Sequence, residues 1–167
     1  LLDCVKIKKG AKVFLHKVSK PEKYGVAKIK KNKIISIKEK PKKYLSDLAI
    51  TGLYFFDNNV VNLAKKLKPS KRGEVEIVDL LNLYKSKKQL SADLIGRGGA
   101  WLDTGSIEDF YKTSAFVSAI ENRQGFKIAC LEEISLNKKW IKKKNIVDSI
   151  KFYGNCDYSN YLRKLIN

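Results

Sequence analysis

Methionine is absent from this sequence, histidine occurs once and proline three times. With no methionine and Leu1-Leu2 at its start, the chain is expected to be a fragment or processed piece, because initiator removal needs a small second residue. A single histidine excludes a multi-histidine metal site. His16 follows Val13-Phe14-Leu15 and reads as a structural residue. Cys4, Cys130 and Cys156 are widely spaced with no CxxC pair, which excludes zinc-ribbon spacing and a disulfide framework. They read as free thiols of a reducing compartment. No apolar run reaches the ~18 residues of a bilayer span, and no cationic start leads into an apolar stretch with a cleavage site. The expected location is cytoplasmic, with no membrane partner. Ten glycines and three prolines are too few for a disordered or fibrous chain.

What is present is 167 residues, 44% hydrophobic and 31% charged, enough for one domain with a real core. The net charge is +18, from 35 Lys+Arg against 17 Asp+Glu. Only Arg72, Arg97, Arg123 and Arg163 are arginines, which leaves 31 lysines. Nucleic-acid readers lean on arginine for bidentate contacts. Here lysine runs along the whole chain, with much isoleucine and asparagine, so it reads as a compositional habit. A basic nucleic-acid-binding domain stays a competing reading; the aromatics, expected in core runs and not on a stacking face, count against it.

Residues 1–9 read as the last turns of a helix capped by Gly10. Residues 11–18 read as a buried strand, and 24–30 with 33–38 as a hairpin about Lys31-Asn32. Residues 48–56 carry an almost unbroken apolar run, which suits a central strand covered on both faces. A helix capped by Asp57-Asn58 is expected to run to Pro69. A second covers 74–85 with Ile77, Leu80, Leu81 and Tyr84 inward, then a strand over 90–95 and a long helix over 107–122. Phe110, Ala115, Val117 and Ile120 are its candidate core positions. Beyond residue 126 the chain turns to short, lysine-rich amphipathic helices. The pattern argues for an α/β sheet with helices on its faces and ligands at strand ends, over 1–126, with a helical tail over 127–167.

Four segments sit awkwardly with pure packing. In Tyr24-Gly25-Val26 the glycine either opens a strand or lets a ligand approach the backbone. Glu39-Lys40-Pro41 offers a carboxylate for hydroxyls and an ammonium for a phosphate, or two solvated charges. Lys71-Arg72-Gly73-Glu74 puts an arginine at an expected helix start, where anions bind and where acids also favour the dipole. Trp101-Leu102-Asp103-Thr104-Gly105 places a carboxylate among apolar residues. That carboxylate would suit Mg²⁺, which takes one or two such groups beside phosphate oxygens and water. Otherwise Asp103 or Thr104 is a helix cap.

In order, the stretches PEKYGVAKI, IISIKEKP, AITGLYFFDNNVV, LKPSKRGEVEIVDLLNLY, GRGGAWLDTGS and SAIENRQGFKIACLEEI resemble the glucose-1-phosphate thymidylyltransferases. These are bacterial sugar-nucleotide pyrophosphorylases, and the resemblance covers nearly the whole chain. It implies an incomplete Rossmann-like nucleotidyltransferase sheet flanked by helices. It also implies an enzyme joining glucose 1-phosphate to dTTP, with Mg²⁺, to give dTDP-glucose and pyrophosphate for dTDP-rhamnose and cell-surface polysaccharide. Gly25 would bring its backbone to the sugar, Glu39 would accept sugar hydroxyls, and Lys40 would pair with the sugar phosphate. Ile50 and Tyr54 would line the pocket, Arg72 would contact phosphate, Trp101 would wall the site, and Asp103 would be one of two metal carboxylates. Glu133 and Ile134 match a second, regulatory nucleotide site, and homotetramers are implied.

Departures accompany the match. The family's glycine-rich, nucleotide-binding first half and its other metal aspartate are absent, so the chain is expected to be inactive alone. Lys38 replaces a family glutamate and Gly99 a common tyrosine. Asn137 stands where arginine is usual, which argues against dTDP-rhamnose feedback. A non-catalytic sugar-phosphate-binding remnant and a UTP-using sugar-1-phosphate nucleotidyltransferase are the alternative readings.

Overall fold

Lys31 and Asn32 both take positive φ, 48° and 59°, as a two-residue hairpin turn with the native strand twist requires. They join strands β2 (Gly25–Lys30) and β3 (Lys33–Glu39), the hairpin expected from the alternating pattern. The computed structural model describes residues 4–167, in two compact units, one ending at Trp101 and the other Leu102–Asn167. In the first unit β1 (Ala11–Lys17), β4 (Leu48–Phe56) and β5 (Leu90–Leu94) join the hairpin in a sheet of order β3-β2-β4-β1-β5. Strands β1 and β5 are parallel and the other neighbours antiparallel. The fold is mixed α/β, as expected.

Strand β4 is central, but cover on both faces fails at Gly52 and Leu53, which are exposed. There the β1–β4 register shifts between Val13 and Leu15, a bulge, and the Thr51 hydroxyl donates to the Phe14 carbonyl at 3.0 Å. Strand β1 alternates buried with half-buried residues, so one face is covered and not both.

Helices α1 (Val60–Ala64) and α2 (Ile77–Ser86) supply that cover. Val78 and Leu81 of α2 pack with Val13, Leu15, Ala27, Ile37 and Ile50, while Leu80 and Tyr84 join Ala11 and Leu63. The expected start of α2 at Glu74 is corrected. The Glu74 carbonyl accepts from the Ser70 N–H at 2.8 Å, within a turn that Gly73 closes at φ 77°. The helix therefore begins three residues later, with Val78 inward and Ile77 exposed. Helix α1 stops short of Pro69, because Lys66 and Leu67 donate to the Leu63 and Ala64 carbonyls in tighter turns. Of the helix expected over residues 1–9, residues 1–3 lie outside the described residues and Cys4–Lys6 is a single 3-10 turn.

In the second unit α3 (Ile107–Gln124) has nearly the expected extent, capped by Ser106, which accepts the Asp109 N–H at 3.0 Å. Its expected core positions are corrected: no residue of α3 is buried, and Phe110 is 61% exposed. Tyr111, Trp140 and Phe152 are exposed too, so the aromatics of this unit do not all lie in a core. Helices α4 (Leu131–Asn137), α5 (Lys143–Tyr153) and α6 (Asp157–Ile166) pack around Cys130, Ile146 and Leu162. Among the described residues no helix is long and apolar enough to cross a membrane.

Asp57 pins the first unit. Its carboxylate accepts from the Gly10 N–H at 2.6 Å, the Tyr84 hydroxyl at 2.7 Å and the Asn59 N–H at 3.1 Å. The Gly10 and Tyr84 hydrogen bonds hold this carboxyl below the usual carboxylate range, against burial, which raises it. Asp57→Ala leaves two buried donors unmet and is expected to cost about 2–3 kcal/mol in urea unfolding at pH 7. The stabilisation from the lowered pKa is complete above the unfolded value near ~4 and is lost as pH falls through the folded value. The gap between wild type and Asp57→Asn should therefore shrink from pH 7 to pH 3; an equal gap at both would contradict this assignment.

Candidate functional site

The hairpin register sets Gly25 of β2 opposite Glu39 of β3. A Cβ at Gly25 would lie 3.0 Å from Glu39 Oε2, 3.1 Å from Val78 Cγ2 and 4.0 Å from Ile50 Cδ1. Glycine is needed here for space. The room it leaves is occupied by the Glu39 carboxylate and the first turn of α2, which hold the end of the hairpin against the helix.

A cleft of about 460 Å³ opens beside this junction, lined by Glu39, Lys40, Arg72, Glu76, Val78 and Asn82 among others. Lys40 leaves β3 at φ 38°, and its N–H donates to the Tyr24 carbonyl at 3.0 Å. Arg72 sits in the Ser70–Gly73 turn and not at a helix start, which corrects the expected helix-terminal anion site. Arg72 Nη1 is 3.9 Å from Glu39 Oε1 and 3.4 Å from Glu76 Oε1, and Nη2 is 3.0 Å from Glu74 Oε2. Burial and then the Glu76 charge push the Glu39 carboxyl up, while Lys40 and Arg72 pull it down. Burial and then the Glu39 charge raise the Tyr54 hydroxyl. A carboxylate that welcomes protons and hydroxyl donors thus stands beside two cations, a pairing suited to a neutral polyol carrying an anionic group.

Of the residues singled out in the sequence, Gly25, Glu39, Lys40, Ile50 and Arg72 converge on this junction, and Tyr54 packs against the core beneath the sheet's helix-covered face. Trp101 meets Tyr24 edge-on at 5.2 Å and His16 at 6.0 Å, one residue from Gly25. His16 Nδ1 is buried with no hydrogen-bond partner among the described residues. Asp103 belongs to the second unit. Its Oδ2 lies 3.2 Å from where a Cβ on Gly105 would be, and its carbonyl accepts from the Thr113 hydroxyl at 3.4 Å. Ser106 makes the side-chain cap of α3, so neither Asp103 nor Thr104 does. Glu133 accepts from the Tyr161 hydroxyl, which burial and then that bond push up to about 12. Ile134 beside it on α4 is 43% exposed. Among the described residues no group of three or more His, Cys, Asp or Glu forms a metal site. Ser70, Val78 and Asn82 were missed as cleft residues. The i, i+4 spacing of Val78 and Asn82 on α2 was the available signal.

The nucleotidyl transferase family model matches residues 4–120. The chain belongs to that family. This nucleotidyl transferase chain is 46% identical to the glucose-1-phosphate thymidylyltransferase of Neisseria gonorrhoeae over 158 residues, 94% of its length and 55% of the relative's. The glucose-1-phosphate thymidylyltransferase of Neisseria meningitidis is 43% identical over the same shares. The chain thus spans about half the length of the curated relatives it matches. A Bacillus anthracis protein described as a glucose-1-phosphate thymidylyltransferase and solved with sucrose superposes at TM-score 0.62, with 41% identity over 69% of this chain and 46% of that one. A UDP-glucose pyrophosphorylase solved with UDP-glucose superposes at 0.56, with 27% identity over 64% of this chain and 43% of its own.

Gly25→Ala is expected to push Glu39 aside, since buried, β-branched Val78 cannot yield. The hairpin end should then part from α2, and the melting temperature should fall by about 4–8 °C in thermal unfolding. An unchanged melting temperature would show that the close approach of Gly25 to Glu39 and Val78 is not needed.

Proposed function

We propose that this chain is the sugar-phosphate-binding portion of a glucose-1-phosphate thymidylyltransferase. The observation that carries the reading is one cleft lined by Glu39, Lys40 and Arg72 beside the Gly25–Glu39 pair. In the reaction a phosphate oxygen of glucose 1-phosphate attacks the α-phosphorus of dTTP. A new P–O bond forms, the bond to the β-phosphate bridging oxygen breaks, and pyrophosphate leaves with its electron pair. Such transfers depend on positioning and charge stabilisation. Glu39 accepts the sugar hydroxyls, Lys40 and Arg72 hold the sugar phosphate against the repulsion of the triphosphate, Ile50 and Tyr54 line the sugar pocket, and Trp101 walls it.

Asp103 fits a divalent metal such as Mg²⁺ as one carboxylate ligand, since its carboxylate makes no cap and Mg²⁺ needs only one or two protein carboxylates. When bound, the metal supplies charge neutralisation at the phosphates. Among the described residues no group of three or more His, Cys, Asp or Glu completes that site, and the nucleotide would be held by the remaining half of the relatives' length. We extend the reading to a cytoplasmic homotetramer serving dTDP-rhamnose synthesis, with 1–126 as catalytic-domain portion and 127–167 as a regulatory tail bearing Glu133 and Ile134. The self-contained core of Cys130, Ile146 and Leu162 supports that tail. Thymidylyl rather than uridylyl transfer is favoured by 41% identity to the B. anthracis structure against 27% to the UDP-glucose pyrophosphorylase.

The test joins this chain to the part of the N. gonorrhoeae relative that it does not span and measures pyrophosphate release from dTTP and glucose 1-phosphate. Turnover is expected. Asp103→Asn should reduce kcat by at least about a hundredfold, and Lys40→Ala should raise the KM for glucose 1-phosphate about tenfold. A fused chain that folds but shows no turnover would refute the proposal.

A further inference from the structure

The three carboxylates around Arg72 are not equivalent. The Glu76 side chain is 13% exposed and that of Glu74 is 62% exposed. Glu76 stands at the N-cap of α2, where Val78 and Leu81 fix the helix to the sheet. The Ser70 hydroxyl donates to Glu76 Oε1 at 3.0 Å and accepts from the Arg72 N–H at 3.1 Å. One oxygen of Glu76 is thus tied to both the Ser70 hydroxyl and Arg72 Nη1. Glu74 holds only the outer nitrogen, Nη2, from an exposed position on the loop. An exposed ion pair of this kind is weak and readily exchanged, whereas a fixed, half-buried acceptor directs a guanidinium.

We propose that Glu76, fastened by Ser70, is a positioning residue that holds Arg72 Nη1 so that the outer edge of the guanidinium faces a phosphate, while Glu74 occupies that edge until the phosphate displaces it. This rests on the proposed function, because it takes the ligand of the cleft to be a sugar phosphate. The two carboxylates then act with opposite sign. A carboxylate acting through charge alone repels the phosphate, so its removal tightens binding; one that orients the arginine weakens binding when removed. Glu39 also meets Arg72, Lys40 and Lys71 line the same cleft, and all three are kept in every variant.

The experiment titrates wild type, Glu76→Gln, Glu74→Gln and Ser70→Ala with glucose 1-phosphate by calorimetry, with thermal unfolding as the check on folding. Glu76→Gln should weaken binding about fivefold and Ser70→Ala about twofold, whereas Glu74→Gln should tighten it about twofold. The phosphorus NMR shift of the bound ligand should move in Glu76→Gln, which a loss of stability alone does not produce. Unchanged or tighter binding by Glu76→Gln, or effects of one sign at Glu74 and Glu76, overturns the positioning role and leaves the proposed function standing. If Glu76→Gln does not fold, Ser70→Ala decides, and unchanged or tighter binding overturns the proposal. Absence of binding by the folded wild type overturns both.

Discussion

The seating of α2 across the sheet is the constraint on which the rest of the first unit depends. Burial of Val78 and Leu81 against Val13, Leu15, Ala27, Ile37 and Ile50 is nondirectional, but it brings specific polar groups with it. At one end of α2 it sets Glu76 and the Arg72 turn beside Glu39. At the other, Tyr84 reaches the carboxylate of Asp57, which also binds Gly10 at the entrance to β1. The cleft is therefore a by-product of core packing, lined by side chains whose backbones the core already holds. Gly25 completes it by letting the hairpin end approach the helix.

Charge in the cleft is arranged in layers. Glu39 is raised by burial and by Glu76, so it tolerates a neutral, hydroxyl-rich neighbour better than an exposed carboxylate would. Arg72 and Lys40 line the same cleft and are more exposed than Glu39. A ligand with hydroxyls at one end and a phosphate at the other matches that order. The overall charge of +18 adds a general attraction for anions, which by itself does not choose among them.

Much of the first unit was legible because its signals are local. Alternation about Lys31-Asn32 gives the hairpin, and the apolar run of β4 marks it as the central strand. Site residues were legible only through the ordered set of motifs, since Glu39-Lys40 or Lys71-Arg72 alone reads as solvated charge. Misreadings came where a competing hydrogen bond won. Acids at Glu74 and Glu76 imitate a first helical turn, yet the Ser70 N–H takes the Glu74 carbonyl and delays α2 to Ile77. In α3 the helix was legible over 107–122, two residues short of its end at Gln124, but its core face was not. Periodicity shows which residues share a face, and it does not supply the partner that covers them. A chain spanning about half of its relatives' length has fewer such partners to offer.

The most direct measurement is a titration of the chain with glucose 1-phosphate followed by amide NMR. Shifts centred on Gly25, Glu39, Lys40, Arg72 and Gly73 are predicted, with saturation and little change elsewhere. No binding, or shifts centred on the exposed lysines about the Lys31-Asn32 turn, would contradict the proposed sugar-phosphate site at the junction of β3 and α2.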